Sequence, residues 1–366
     1  MDVWKNKMND LINKIKINPE TLIKDSLKKI DEAGIGNLFV CDENDSLLGS
    51  LTDGDIRRRI LQTGNLQEEI VHCFNRKPVY VMDGNYTQEE VKELMLKATI
   101  EAIPVINNDR KIVDVLFWKD IFQEEIYNFD KINIPVVIMA GGKGERLDPF
   151  TKILPKPLIP VGEKPIIEVI IDRFIKYGVK RFYITLNYKG EMVKIYFDSI
   201  EKNYDLEFVY EDEFLGTAGS LKLLTHSIGE TFIVSNCDII VEANYSDLMK
   251  FHNKNKNVLT VVGSIMHHKI PYGIINFKNE GKISNVQEKP EFDFMINTGV
   301  YVLSREIIDL IPEGGSFDMT DLINEALRQK KSVGVYPVSQ KSYMDVGQWE
   351  GYKKHLEILR DLTIDV

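Results

Sequence analysis

The sequence predicts an α/β protein in two parts. A small α+β module over residues 1–128 comes first, and a larger domain on a mixed, mainly parallel sheet comes after it, over residues 132–366. Three observations predict this. One stretch of the first third repeats itself without a gap. A near-continuous apolar run, Ile134-Pro-Val-Val-Ile-Met-Ala140, breaks into Gly141-Gly142-Lys143-Gly144. A second such run, Thr231-Phe-Ile-Val-Ser-Asn-Cys-Asp238, ends on a carboxylate. Strands without polar alternation suit a sheet covered on both faces, the usual setting of parallel strands.

The repeat sets Leu38–Asp55 (LFVCDENDSLLGSLTDGD) against Ile103–Asp120 (IPVINNDRKIVDVLFWKD) at an offset of 65 residues. Val40 falls on Val105, Leu51 on Leu116 and Asp55 on Asp120. Each copy reads as strand, polar turn, strand and helix start, preceded by a helical pattern (LIKDSLKKIDEAG, TQEEVKELMLKAT). Fixed self-similarity of this kind indicates tandem units packed together. The unit resembles the cystathionine β-synthase-type (CBS) repeat, over about residues 18–62 and 76–127. That resemblance implies a regulatory pair with a nucleotide effector, held by Thr52, Asp55 and Asp120 at helix starts. Helix N-capping is the competing use of those aspartates. In the second copy Asp114 and Phe117 stand where the first has Gly49 and Thr52.

The polar segment 128–134 separates the repeats from the next strand. A length of 366 residues suits two or three domains. The net charge of −10 disfavours nucleic acid and anionic membranes as partners. No apolar run reaches the roughly 20 residues of a membrane span, and the first residues lack a signal-peptide pattern. Cys41, Cys73 and Cys237 are far apart without CxxC spacing, as expected of a cytoplasmic protein. The six histidines show no metal-ligand spacing.

The glycines after Ala140 bring backbone N–H groups to a strand end, where an anion can nest. No Lys-Ser/Thr comes after them, so this is not a Walker A loop. The longer stretch VVIMAGGKGERLDPFTKILPKP (Val136–Pro157) fits GGxGxRLxPxTxxxPKP and resembles the signature of sugar-1-phosphate nucleotidyltransferases. The resemblance runs over nearly all of residues 134–362. It implies a Rossmann-like domain that joins a nucleoside triphosphate to a sugar 1-phosphate and releases pyrophosphate. Such a reaction needs no general base; it needs two polyanions held together and charge stabilised at the α-phosphate.

The resemblance also implies roles for single residues. Arg146 clamps the triphosphate and Lys156 serves the α-phosphate and sugar phosphate. Ala140, Gly141, Gly142 and Gly144, with Gly216, Thr217 and Gly219 of LGTAG, hold the nucleotide. Glu213, in YEDE, offers a carboxylate to a guanine edge. Asn187, Gly273, Glu288, Lys289, Asn297, Thr298 and Asp318 face the sugar phosphate. Asp238 and Asp345 bind Mg²⁺; Tyr343 stands where the family more often has Trp. The CBS-then-transferase order and the LNYKGE and MDVG elements are like those of glucosamine-1-phosphate guanylyltransferases of bacterial legionaminic acid pathways. This implies GTP, glucosamine 1-phosphate and surface-glycan synthesis. Mannose- or heptose-1-phosphate guanylyltransferases, amino-sugar uridylyltransferases and a non-catalytic nucleotide-sensing regulator are the alternatives. A homo-oligomer, through the CBS or catalytic domains, is also expected.

Overall fold

The computed structural model describes residues 12–33, 36–98, 100–118, 121, 130–224, 228–349 and 351–352. The chain divides into two compact units. One is Met1–Asn128 with Ile265–Met295, and the other is Phe129–Ser264 with Ile296–Val366.

In the first unit, β1 (Lys16–Ile17), α1 (Ile23–Ala33), β2 (Asn37–Cys41) and β3 (Leu47–Thr52) lead into α2 (Asp53–Thr63). The first four recur 65 residues later as β4 (Val81–Met82), α3 (Gln88–Ala98), β5 (Ala102–Ile106) and β6 (Ile112–Phe117). Each copy forms a three-stranded sheet, parallel at its first pairing and antiparallel at its second. The polar turns also match. Asp45 and its counterpart Arg110 are both left-handed (φ 65° and 61°). Asp42 Oδ1 accepts from the amides of Asn44 and Ser46, as Asn107 Oδ1 does from Asp109 and Lys111. The copies then meet at equivalent positions, Ser46 bridging Lys111. The two-residue strands β1 and β4 are too short for periodicity to reveal.

The second unit carries a seven-stranded sheet. In chain order the elements are β7 (Val136–Met139), β8 (Pro160–Val161), β9 (Lys164–Pro165), α4 (Ile166–Lys176), β10 (Arg181–Leu186), α5 (Gly190–Asp198), β11 (Asp205–Tyr210) and the helical turn α6 (Gly216–Gly219). Then come β12 (Thr231–Asn236), β13 (Ile239–Val241), α7 (Tyr245–Lys254), β14 (Leu259–Lys269), β17 (Glu291–Ser304), α8 (Met319–Arg328), β18 (Val333–Val338) and β19 (Tyr343–Asp345); between β14 and β17 the chain enters the first unit, where it forms β15 (Ile274–Phe277) and β16 (Ile283–Gln287). The order is β11-β10-β7-β12-β17-β14-β18. β7 pairs parallel with both β10 and β12, and β12 pairs antiparallel with β17.

Both faces are covered, which explains the uninterrupted apolar strands. Val136 and Ile138 of β7 join one core with Phe182 and Ile184, under α4, α5 and α7. Val137 and Met139 join the other with Phe232 and Tyr301, under α8 and Ala218, Leu221, Leu224 and Ile228. No helix among the described residues is long and apolar enough to cross a membrane.

Within the first unit, Ile265 is 2 % exposed and belongs to the same core as Leu38, Val40 and Ile106 of the repeats. The antiparallel hairpin β15–β16 lies beyond it, with Ile275, Phe277, Ile283 and Val286 exposed.

Candidate active site

Parallel strands end on one edge of a sheet, and the residues just past those ends gather there. After β7 come Ala140 and Gly141, after β10 Asn187, after β11 Glu211, and after β12 Asp238. Ala140 N donates to Thr185 O, and Glu211 N to Leu186 O, so these ends stay in register. Asn187 Nδ2 donates to Glu211 O at 2.8 Å, bracing that junction.

The signature stretch folds as short turns rather than one helix. Gly144 is left-handed at φ 70°. A Cβ there would lie 2.9 Å from Thr151 Cγ2 and 3.0 Å from Lys156 Cβ, so glycine lets the two ends of the loop close on each other. Arg146 is exposed. Trp349 Nε1 donates to Asp148 O at 2.9 Å, and its ring packs on Phe150 at 4.9 Å.

Lys156 Nζ donates to Asp238 Oδ2, and both side chains are largely buried. Burial opposes the Lys156 ammonium, but Asp238 outweighs it and the pKa ends above the ordinary lysine value. Asp345 comes alongside because β13 and β19 pair antiparallel, Ile239 opposite Asp345, and Val346 N donates to Asp238 O. Asp345 Oδ1 accepts from Gly347 N at 2.8 Å. Tyr343 lies in the same field: burial, Asp345 and Asp238 push its phenol up while Arg146 opposes them. Cys237 is buried, and burial drives its thiol to about 12. Among the described residues no three His, Cys, Asp or Glu side chains gather as a ready-made metal cluster. The Asp238–Asp345 pair still fits a hard cation that keeps waters and phosphate oxygens in its shell, and a lysine ammonium already sits against Asp238.

The Leu215–Gly219 turn is tied to a segment 101 residues away. Thr217 N and Oγ1 both donate to Asp318 Oδ1, at 3.0 and 3.2 Å, and Met319 N donates to Thr217 Oγ1. Gly216 (φ 78°) has no room for a Cβ, which would lie 2.8 Å from Asp318 Oδ1. Asp318 thus braces the turn and starts α8. Ala218 N and Gly219 N donate to Phe317 O.

Glu213 is exposed, whereas Glu211, two residues earlier, is buried. A Cβ on Gly141 would lie 2.7 Å from Glu211 Oε1, so the carboxylate packs directly on the glycine turn. Burial raises the Glu211 pKa, against hydrogen bonds from Leu215 N, Thr185 and Ser220. The sequence draws attention to this acidic run but points to its outer glutamate. Which of three successive acids turns inward depends on Gly141, a long-range contact.

Asn297 holds Tyr301 Oη through Nδ2 at 2.8 Å, and the Thr298 hydroxyl is used inside the sheet, donating to Val262 O at 2.7 Å. In the first unit, Glu288 Oε2 lies against Gly273, 3.0 Å from where a Cβ would be. Lys289 is exposed and left-handed at φ 45°. Thr52 and Asp55 form a capping box: Thr52 N donates to Asp55 Oδ2 at 2.9 Å, and Asp55 N donates to Thr52 Oγ1 at 3.2 Å. Arg58 bonds the other Asp55 oxygen. Asp120 lies outside the described residues.

Comparison with known proteins gives two family matches. A "Nucleotidyl transferase" profile covers residues 135–361, more than half of the chain, and a CBS profile covers residues 8–62 and 70–126. Among curated relatives, a mannose-1-phosphate guanyltransferase of Yarrowia lipolytica is 34% identical over 58% of this chain and 60% of its own. A bifunctional protein GlmU of Methanococcus maripaludis is 30% identical over 54% of this chain and 48% of its own. The chain thus spans about half to three fifths of these relatives. The crystal structure of HddC from Yersinia pseudotuberculosis is 27% identical, with a TM-score of 0.48 over 62% of this chain and 99% of that one.

Proposed function

The chain belongs to the nucleotidyl transferase family, with a CBS pair ahead of the family domain, and we propose that it joins a nucleoside triphosphate to a sugar 1-phosphate. A phosphate oxygen of the sugar phosphate attacks the α-phosphorus. The bond from that phosphorus to the bridging oxygen of the β-phosphate breaks, and pyrophosphate leaves with the electron pair. The observation carrying this reading is the meeting of Lys156, Asp238 and Asp345 at Gly347, from three distant parts of the chain.

In this reading Arg146 clamps the triphosphate with its fork of donors. Lys156 serves the α-phosphate and the incoming phosphate. The glycines of 141–144 admit the phosphates, and the braced 216–219 turn receives base and ribose. Asp238 and Asp345 would hold Mg²⁺, which when bound neutralises phosphate charge. On the second unit Asn187 and Asn297 serve the sugar side, while Thr298 and Asp318, expected there from the family motif, act instead as braces; Gly273, Glu288 and Lys289 carry the family's sugar-phosphate motif on the first unit.

The base is guanine, with Glu211 as its reader. A carboxylate accepts from both guanine N1–H and N2–H₂, whereas uracil or thymine offers one N–H. The sugar is glucosamine 1-phosphate, supported by the domain order and the LNYKGE and MDVG elements, and the product would feed a legionaminic acid-type glycan. Mannose 1-phosphate competes, because a 34% identical relative is named for it. The CBS pair takes a nucleotide effector near Thr52 and Asp55.

Pyrophosphate release, crossing four nucleoside triphosphates with hexosamine, mannose and heptose 1-phosphates, tests the whole reading. Turnover with GTP and glucosamine 1-phosphate supports it; no release with any pair overturns the enzyme. Lys156→Ala and Asp238→Ala should each cut kcat by about a hundredfold or more, and each should also lower thermal stability by leaving its buried partner unpaired. Wild-type turnover in either would refute its role.

A further inference from the structure

We propose that Lys189 is a positioning residue for this transfer, because its ammonium holds the loop that joins Arg146 to Lys156. The inference rests on the reaction assigned above. Lys189 sits between β10 and α5 in a left-handed conformation, φ 54°. A side chain rarely adopts that backbone unless its surroundings demand it. Here the side chain has a use. Its Nζ donates to Thr151 O at 3.1 Å and to Lys152 O at 2.7 Å, two successive carbonyls of the signature loop.

Thr151 carries that grip to the reacting side. It is 2 % exposed and donates through Oγ1 to Asp148 Oδ1 at 2.8 Å. Its methyl lies over Gly144, beside the Lys156 Cβ, at the spot where a Gly144 side chain would collide with both. One line of contacts therefore runs from Lys189 through Thr151 and Gly144 to Lys156. Arg146 lies inside the same loop, two residues after Gly144. The sequence hides this, because LNYKGE shows only a lysine at a turn, 37 or 38 residues from its partners. A lysine there also adds positive potential beside a loop that must receive two polyanions.

Full-length Lys189→Met and Lys189→Arg variants test it. Methionine keeps the stem and removes the donors; arginine restores them. In the methionine variant, kcat for pyrophosphate release should fall between about tenfold and a hundredfold, as for a displacement near 1 Å. KM for the triphosphate should stay within about threefold, and amide exchange over residues 146–156 should quicken locally. The arginine variant should recover most of kcat and most of the protection. Unchanged exchange over 146–156 in the methionine variant, or kcat within about threefold of wild type, overturns the proposal. So does an arginine variant as impaired as methionine. Exchange needs no turnover, so it judges the loop clamp even if the wild type releases no pyrophosphate. That second result would sink the reaction itself.

Discussion

Adding one methyl at Gly347 is the most exacting perturbation of the site. Its ideal Cβ would stand 2.0 Å from Asp238 Oδ2, 2.9 Å from Asp238 Cγ and 3.0 Å from Lys156 Nζ. Non-bonded carbon and oxygen do not approach within about 3 Å, so the carboxylate must retreat by about 1 Å or rotate away. A shift of that size in a group that positions reactants costs about a hundredfold in rate. The fold has less to lose. Asp238 is the free end of a side chain, and Gly347 is not among the left-handed glycines. Overpacking should therefore cost about 1 kcal/mol, a shift of about 2–4 °C in a domain of this size. The assay pairs kcat for pyrophosphate release with thermal unfolding of Gly347→Ala. In an Asp238→Ala background the extra methyl should cost almost nothing, since the group it displaces is gone. Activity within about threefold of wild type, or equal losses with and without Asp238, would refute the reasoning.

Single contacts give the other expectations. Glu211→Gln should lower the kcat/KM ratio of GTP over UTP by about tenfold or more, read in parallel assays; an unchanged ratio removes Glu211 as base reader. His252 is 2 % exposed, bonded to Thr260 and Ser304, and burial lowers its pKa from 6.5 to about 4. Folded protein therefore holds this proton more weakly than unfolded chain. Its contribution, about 3 kcal/mol, is full above pH 6.5 and is lost as the pH falls towards 4. Urea unfolding of wild type and His252→Gln at pH 7 and 5 should show a steeper loss in the wild type; parallel losses would contradict this. Gly49→Ala would place a Cβ 2.4 Å from both Asn75 O and the Phe74 ring. It should destabilise the N-terminal unit by about 1–3 kcal/mol, visible in its denaturant midpoint, while an unchanged midpoint would count against the packing described. Cys237, with its thiol held near 12, should resist maleimide in the folded protein at pH 7; rapid modification would contradict its burial.

Much of this architecture is legible in the sequence because it rests on local pattern. The repeat announces itself since identical spacing must give identical packing, even to left-handed Asp45 and Arg110. Strands β7 and β12 read as buried because neighbouring side chains go to different cores. The hidden parts depend on distant partners. Nothing in YEDE says that Gly141 admits Glu211 rather than Glu213. Asp318 reads as a helix start facing sugar, yet it reaches back to Thr217. The polar Thr298 spends its hydroxyl on Val262. The grouping of 265–295 with the repeats has no sequence signal, because it hangs on where Ile265 is buried.

That burial decides where the chain can be cut. The obvious place to separate the halves is the polar stretch near Asn128, and a fragment beginning there would still carry the whole family segment. It would also carry Ile265 stripped of Leu38, Val40 and Ile106, besides the already exposed Ile275, Phe277, Ile283 and Val286. Uncovering one isoleucine costs about 2 kcal/mol and enlarges an apolar surface that invites self-association. Such a fragment should sediment as aggregates where the intact chain does not, and Ile265→Thr should relieve it. Domain dissection here needs a repaired surface as well as a scissile site.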